Sequence, residues 1–297
     1  MNARVLVALA VLLSALAAGL AWLELHSARA LSSSMDDVAR LDALLAGRAA
    51  LQTSVLSARA GLELSFDEIN HALSFMRRTY SEEPVVRARG AAYSKAADEL
   101  ARTGAALRVE ETALETFKTD LALLRLSSRY FPLAADALMS RWTPRARRSK
   151  PESDNVREAT ALAAIDSLRT EVERYQEAPT GQIAQRLESM IPRLEALRSP
   201  ESGDAESADL SALLGHTRMI LDRRERVDRF TRNLVQSPVR VHLEAARAAY
   251  DQATRAQLKT VVVLRIVASE LAALGIIALA VVVWQAVRQR RSSAATK

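Results

Sequence analysis

The chain has 297 residues, with few glycines (9), prolines (8) and aromatic residues (4 %). It is rich in alanine, leucine, arginine and glutamate, which are strong helix formers, so an all-α fold is predicted. The lack of cysteine excludes disulfides, thiolate metal sites and a cysteine nucleophile. Much of the formal charge of +6 lies in residues 141–150 and in the C-terminal tail, and no basic stripe with interleaved aromatics supports a nucleic-acid partner.

Residues 5–23 form an uncharged run of 19 residues that follows Arg4. A secretory signal peptide is one interpretation, because residues 15–17 (ALA) resemble a cleavage site. The run is longer than a signal core, and Trp22 stands where an interfacial anchor would, so an uncleaved membrane helix is predicted. With Arg4 inside, residues 1–4 are expected in the cytoplasm.

The next region, residues 24–260, opens with apolar residues three or four apart from 51 to 80. This spacing has a period near 3.6 and predicts one amphipathic helix, which extends back toward the first apolar run and is ended by Pro84. A second helix is predicted from about Val85, and Pro132 is expected to bend or break it.

The polar segment 142–155 contains proline and serine and is predicted as a connector at the tip of the ectodomain. Helical spacing resumes in residues 162–172, 183–197 and 210–230, with Pro192 as a predicted kink. From residue 239 to 291 the pattern predicts one helix of 53 residues, about 80 Å long. Six amphipathic segments without a strand pattern predict helical bundles.

The apolar run 266–287 has 22 residues and a single charge, Glu270, near its start. A helix of that length measures about 33 Å, close to the hydrocarbon thickness of a bilayer. Three arginines follow within four positions, which indicates a cytoplasmic end. We therefore predict a transmembrane helix within 261–287, a basic cytoplasmic tail at 288–297, and a two-pass topology with residues 24–260 outside.

No motif supports catalysis or a cofactor: the sequence has no nucleophile elbow, phosphate-binding glycine loop or HExxH pair, so an enzyme is not expected. Asp67 and His71 stand one helical turn apart, but a hydrogen-bonded surface pair is favoured over a metal site. Six polar residues lie beside apolar stripes, where a buried charge would need a partner or a ligand. Exposure to solvent is the alternative for each, but as a group they are the predicted lining of a ligand pocket: Arg59, Asp67, Lys118, Arg125, His216 and Arg218.

Three separated segments carry a family resemblance: residues 56–67 (LSARAGLELSFD), 117–132 (FKTDLALLRLSSRYFP) and 213–221 (LLGHTRMIL). They are similar to motifs of the DAHL (double all-helical ligand-binding) domain, the sensor of bacterial membrane histidine kinases, including VirA-like ones. The resemblance implies two stacked helical bundles between two membrane helices, a periplasmic location and signal transduction at the inner membrane. Leu121 and Leu126 replace asparagines of that pattern, which implies a different ligand or none.

A kinase is expected to be a separate chain, because about ten residues follow the second span, without a phosphoacceptor-box histidine or an ATP-binding glycine motif. The predicted function is thus a periplasmic sensor of a two-component system that acts through a separate histidine kinase. Its other expected partners are the bilayer, a second copy of the chain, and a small ligand or periplasmic binding protein. The alternative is a scaffold for an envelope protein; a buried polar pocket favours the sensor, and a dry apolar core favours the scaffold.

Overall fold

The computed structural model describes residues 3–81, 91–146, 152–196 and 204–294. Within these ranges the chain forms seven α-helices, one short 3-10 helix and no strand, which confirms the all-α prediction. The helices are α1 (Ala3–Arg59), α2 (Asp67–Ser81), α3 (Ser94–Ala146), α4 (Glu152–Glu177), α5 (Gly181–Ala196), α6 (Asp204–Val235) and α7 (Pro238–Ala294), and the 3-10 helix Ala91–Tyr93 precedes α3.

The single helix predicted over residues 51–80 is wrong. The helix α1 ends at Arg59, α2 begins at Asp67, and the residues between them form a loop. Leu62, predicted on the apolar face of an unbroken helix, lies in this loop and is 80 % exposed.

Gly61 ends α1 because its backbone takes the left-handed conformation, with φ of 77°. Its amide donates a hydrogen bond to the Ala58 carbonyl at 3.1 Å, and the Leu62 amide donates to the Ser57 carbonyl at 3.0 Å. These two bonds form a Schellman motif, which satisfies carbonyls that the last turn of a helix leaves unpaired.

The predicted break at Pro132 is also wrong, because α3 continues through it to Ala146. Phe131, Ala135 and Leu138 are buried on either side of the proline, so packing of this apolar face outweighs the missing amide. The predicted connector 142–155 is correspondingly too long. Its two ends are helical, and its middle, residues 147–151, lies outside the described residues.

The predicted bounds of the later helices agree more closely with the structure. The helix α4 ends at Glu177, α6 ends at Val235 ahead of Pro238, and α7 is one continuous helix, as predicted from residue 239. Pro192 lies inside α5, and a kink there stays a prediction. Pro84 and the predicted loop at 199–203 lie outside the described residues.

The chain divides into two compact units. Unit 1 comprises Met1–Leu51, Asn70–Leu107 and Pro238–Lys297, and unit 2 comprises Gln52–Ile69 and Arg108–Ser237. Two helical units match the number of bundles that the sequence predicts, and their stacking stays a prediction.

The core of unit 1 is centred on two buried tyrosines. The rings of Tyr93 and Tyr250 pack at 4.8 Å between centroids. The Tyr93 hydroxyl donates to Gln257 Oε1 at 2.8 Å, and the Tyr250 hydroxyl donates to Asp37 Oδ2 at 2.5 Å. Both buried hydroxyls are thus paired, as burial of polar groups requires.

Unit 1 also carries the second predicted membrane span, in α7. Among the described residues, one stretch is long and apolar enough to cross a membrane; it lies in Ser207–Gln285, where an 18-residue window has a mean hydropathy of 2.6 and none of it is buried. Its exposed large apolar side chains include Leu274, Ile276, Ile277 and Leu279. This finding is compatible with membrane anchoring. The first span, residues 5–23, belongs to α1 and stays a prediction, as does the two-pass topology.

The core of unit 2 is formed mainly by α3, α4 and α6. Each buries apolar residues at helical spacing, as in Leu114, Phe117 and Leu121 of α3. Phe117 stacks on Phe230 of α6 with 4.7 Å between ring centroids. This packing brings the end of α1, the middle of α3 and the middle of α6 around one cavity.

Candidate functional site

A cavity of about 340 Å³ lies in unit 2 among the end of α1, α3, α4 and α6. Three guanidinium groups line it, those of Arg59, Arg125 and Arg224, and no carboxylate does among the described residues. We call it the arginine cavity. Its lining therefore combines positively charged groups with residues of the helices that form the core of unit 2.

Two of these arginines share one carboxylate that lies outside the lining. Asp228 Oδ1 accepts a hydrogen bond from Arg59 Nε at 2.8 Å, while Arg224 Nε is 3.5 Å from Asp228 Oδ2. Arg224 Nε is buried and has no hydrogen-bond acceptor in the described part of the chain. Because one negative charge faces two positive ones, the group carries a net positive charge at the cavity wall.

Arg125 has a structural role at the same cavity. Its guanidinium donates to three backbone carbonyls at the end of α1 and in the following loop: Ala58 (2.6 Å), Glu63 (2.6 Å) and Leu64 (3.0 Å). It also lies over the Phe66 ring, 5.6 Å from the centroid. Burial lowers the pKa of Arg125 from its ordinary value, which reflects the desolvation of its charge.

The rest of the lining is largely apolar. Leu121, Leu124 and Ile220 are buried and form part of the wall, together with the ring of Tyr175, which is 6 % exposed. Burial raises the pKa of the Tyr175 hydroxyl, and the negative charge of Asp228 raises it further. A site with apolar walls and a few placed polar groups is the usual form of a small-molecule pocket.

A larger cleft of about 830 Å³ lies in the same unit, lined by residues of α4, α5 and α6. Four carboxylates line this cleft, which we call the acidic cleft: those of Glu188, Asp222, Glu225 and Asp228. Most are paired with arginines of their own helix: Asp222 accepts from Arg226 at 3.0 Å, and Glu225 accepts from Arg229. Since these surface pairs balance one another, the cleft shows less charge imbalance than the arginine cavity.

Three of the six predicted site residues line these cavities. Arg59 and Arg125 lie together at the arginine cavity. Arg218 lies apart from them in the acidic cleft and pairs with Glu195 at 2.5 Å.

The other three predicted residues line none of the cavities described above. Lys118 forms an ion pair with Glu115 on its own helix at 2.7 Å. The His216 ring stacks on Tyr130, with 6.3 Å between centroids, and Asp67 is exposed at the first position of α2. A role for the six residues in ligand binding stays a prediction.

Sequence reasoning missed Arg224, Asp228 and Tyr175. A signal for Arg224 was present, because it lies four residues after Ile220 and three before Val227, both buried in α6. Helical spacing therefore places it on the buried face. Asp228 follows one turn later, within reach of its guanidinium.

A family model described as the DAHL domain matches residues 36–265, which is more than three quarters of the chain. A search of curated proteins finds no match.

Proposed function

Because this chain belongs to the DAHL domain family, we propose that it is a membrane-anchored sensor module that binds a ligand outside the membrane. In this proposal residues 24–260 lie in the periplasm of a bacterial cell, and α7 enters the inner membrane. The signal is received by a separate protein, a histidine kinase of a two-component system.

The observation that carries the proposal is the convergence of three segments on one cavity. The segments 56–67, 117–132 and 213–221, which resemble DAHL motifs, are far apart in sequence. The arginine cavity is lined by residues from each of them, including Arg59, Leu124 and Ile220. A cavity of about 340 Å³ is within the range of small-ligand sites, roughly 300–1,000 Å³.

The continuous helix α7 supplies a route for the signal within unit 1. It contributes Tyr250 to the unit 1 core, and the same helix continues into the exposed apolar stretch. A ligand changes the equilibrium between two packings of the helices only by binding one of them more tightly. We propose that this difference in affinity moves α7, and that a second copy of the chain or the kinase detects the movement.

A thermal-shift screen of the full chain in lipid nanodiscs tests ligand binding. The library would contain anionic, neutral and cationic small molecules together with an extract of the bacterial envelope. A ligand at 100 times its dissociation constant stabilises the native state by about 2.7 kcal/mol, so a true ligand raises the unfolding temperature clearly. If no compound or extract raises it, the sensor proposal fails and the scaffold interpretation replaces it.

A spin label in α7 tests transmission of the signal. The chain has no cysteine, so Leu258→Cys gives a single label at a position that is 43 % exposed. A measurable distance between two labels would indicate a homodimer, and ligand is expected to change that distance or the label mobility. An unchanged spectrum with saturating ligand would contradict a signalling role for α7.

A further inference from the structure

The charge of the arginine cavity identifies a class of ligand. Given the sensor function proposed above, on which this step rests, we infer that the cavity binds a small organic carboxylate whose apolar body lies against the leucine and isoleucine walls. The carboxylate would be held by the guanidinium groups of Arg59 and Arg224.

The first support is the number of donors without acceptors. Arg59 uses its Nε on Asp228, and Arg224 only approaches the same carboxylate at 3.5 Å. Within the described part of the chain, Arg224 Nε is buried and has no hydrogen-bond partner. Two adjacent guanidinium groups, one of which has a buried donor without an acceptor, match a carboxylate, which accepts paired hydrogen bonds.

The second support is the local charge. Asp228 neutralises one of the two arginines, and no carboxylate lines the cavity among the described residues. The Asp228, Arg59 and Arg224 side chains are 13 %, 35 % and 20 % exposed, so water screens their charges only in part. An anion in the cavity would balance the remaining positive charge, whereas a cation would be repelled.

The third support is the shape of the polar and apolar surfaces. The lining of the same cavity includes the buried apolar residues Leu121, Leu124 and Ile220. An inorganic anion would satisfy the arginines but leave this apolar surface in contact with water. A carboxylate with an apolar body satisfies both, because its burial also removes apolar area from water.

Arg125 is excluded from direct recognition. Its terminal nitrogens already donate to the carbonyls of Ala58, Glu63 and Leu64, and it stabilises the wall of the cavity. The binding test therefore changes Arg224, whose hydrogen bonds to the protein are incomplete.

The test is isothermal titration of the full chain in nanodiscs with three carboxylates: benzoate, cyclohexanecarboxylate and hexanoate. Their matched amides have nearly the same shape without the charge, and inorganic phosphate has charge without an apolar body. At least one carboxylate is expected to bind, its amide much more weakly, and phosphate more weakly than the carboxylate. Arg224→Met is expected to weaken carboxylate binding about tenfold or more, the size of a lost hydrogen bond between charged groups.

The matched control is Arg226→Met, on the same helix. Arg226 pairs with Asp222 on the exposed surface and lines neither the arginine cavity nor the acidic cleft, so its loss should leave affinity unchanged. Arg224→Lys keeps the charge but not the planar pair of donors, and it should bind with intermediate affinity. Circular dichroism of each variant verifies that the helices remain folded.

The outcomes separate this inference from the proposed function. If neutral or cationic compounds of the thermal-shift library bind in an Arg224-dependent manner and the carboxylates do not, the inference is overturned and the sensor proposal stands. If phosphate binds as tightly as the carboxylates, the requirement for an apolar body is overturned. If no compound of any class binds, both proposals fail together.

Discussion

The two units differ in the polar groups that join their helices. Three polar pairs link helices of unit 1: Tyr250 with Asp37, Tyr93 with Gln257, and His242 Nδ1 with Glu99 Oε2 at 2.8 Å. In unit 2 two arginines share the carboxylate of one aspartate beside a cavity. Matched pairs hold a core together, whereas an unmatched charge beside a cavity indicates a place for a ligand.

The two units also differ in the contacts made at the ends of their helices. Unit 2 contains the end of α1, where the Schellman bonds of Gly61 and the guanidinium of Arg125 satisfy the last carbonyls. In unit 1 the Tyr80 hydroxyl, near the end of α2, lies against Gly104 of α3 and donates to the Leu100 carbonyl. Substitutions at these places should therefore affect one unit and leave the other unchanged.

The largest expected effect is that of Arg125→Met in unit 2. The variant removes hydrogen bonds from a charged donor to three carbonyls, and water replaces them only in part. Local stability of the segment 56–66 should fall by about 3 kcal/mol. Hydrogen exchange of the Gly61 and Leu62 amides measures it directly.

The control for that variant is Arg129→Met. Arg129 is exposed one turn further along α3, so its loss should change exchange of the same amides very little. Equal protection of Gly61 in the two variants would show that Arg125 does not hold the end of α1.

A smaller effect is expected for Gly104→Ala in unit 1. An added Cβ would clash with the Tyr80 hydroxyl, which donates to the Leu100 carbonyl at 3.1 Å. Overpacking of this kind costs about 1–3 kcal/mol, more than alanine gains as a helix former. Faster exchange in residues 94–107, with unit 2 unchanged, is the expected result; unchanged exchange there would disprove the close approach.

A glycine-to-alanine substitution in unit 2 should raise stability where Gly104→Ala lowers it in unit 1. At Gly215, within α6, an added Cβ would meet no atom within 4 Å. Gly215→Ala should therefore stabilise the helix by about 0.5–1 kcal/mol, because alanine loses less backbone freedom on folding. Slower exchange in residues 210–220 would confirm this, and a loss of protection would show hidden crowding.

The smallest expected effect is a loss of stability at alkaline pH that depends on the Tyr175 hydroxyl. Its pKa is raised above the ordinary value of 10.0 by burial, so the folded state keeps the proton after the unfolded state has lost it. The stabilisation is complete below about pH 10 and is lost as the pH rises through the folded pKa. Urea unfolding across this range should show a steeper decline for the native chain than for Tyr175→Phe; parallel curves would contradict burial of the hydroxyl.

The sequence predicted the all-helical class, the later helices and the continuous α7, because their apolar periods and proline breaks are local signals. It failed at Gly61 because Leu62 and Phe66 happen to keep the helical phase of the preceding turn. The left-handed conformation of Gly61 is held by bonds that periodicity does not register. The opposite error occurred at Pro132, where a break was predicted but α3 continues. Buried neighbours on both sides of the proline maintain the helix through it.

Only part of the candidate site could be predicted from the sequence, for a similar reason. Arg59 and Arg125 were identified from their places beside apolar stripes, and the structure brings them together at one cavity. The contacts of Arg125 with Ala58 and Glu63 join residues more than sixty positions apart, and no local pattern encodes them. Arg224 lies in a strongly charged stretch, where its position on the buried face is easily overlooked.

The most direct test of the central claim, that unit 2 is the ligand-binding unit, is hydrogen exchange of the full chain in nanodiscs with and without the tightest-binding carboxylate. The account predicts increased protection around the arginine cavity, in residues 57–62, 121–128 and 220–228. It predicts that Arg224→Met abolishes this increase and that Arg226→Met retains it. Protection that appears only in unit 1, or that persists in Arg224→Met, would contradict the account.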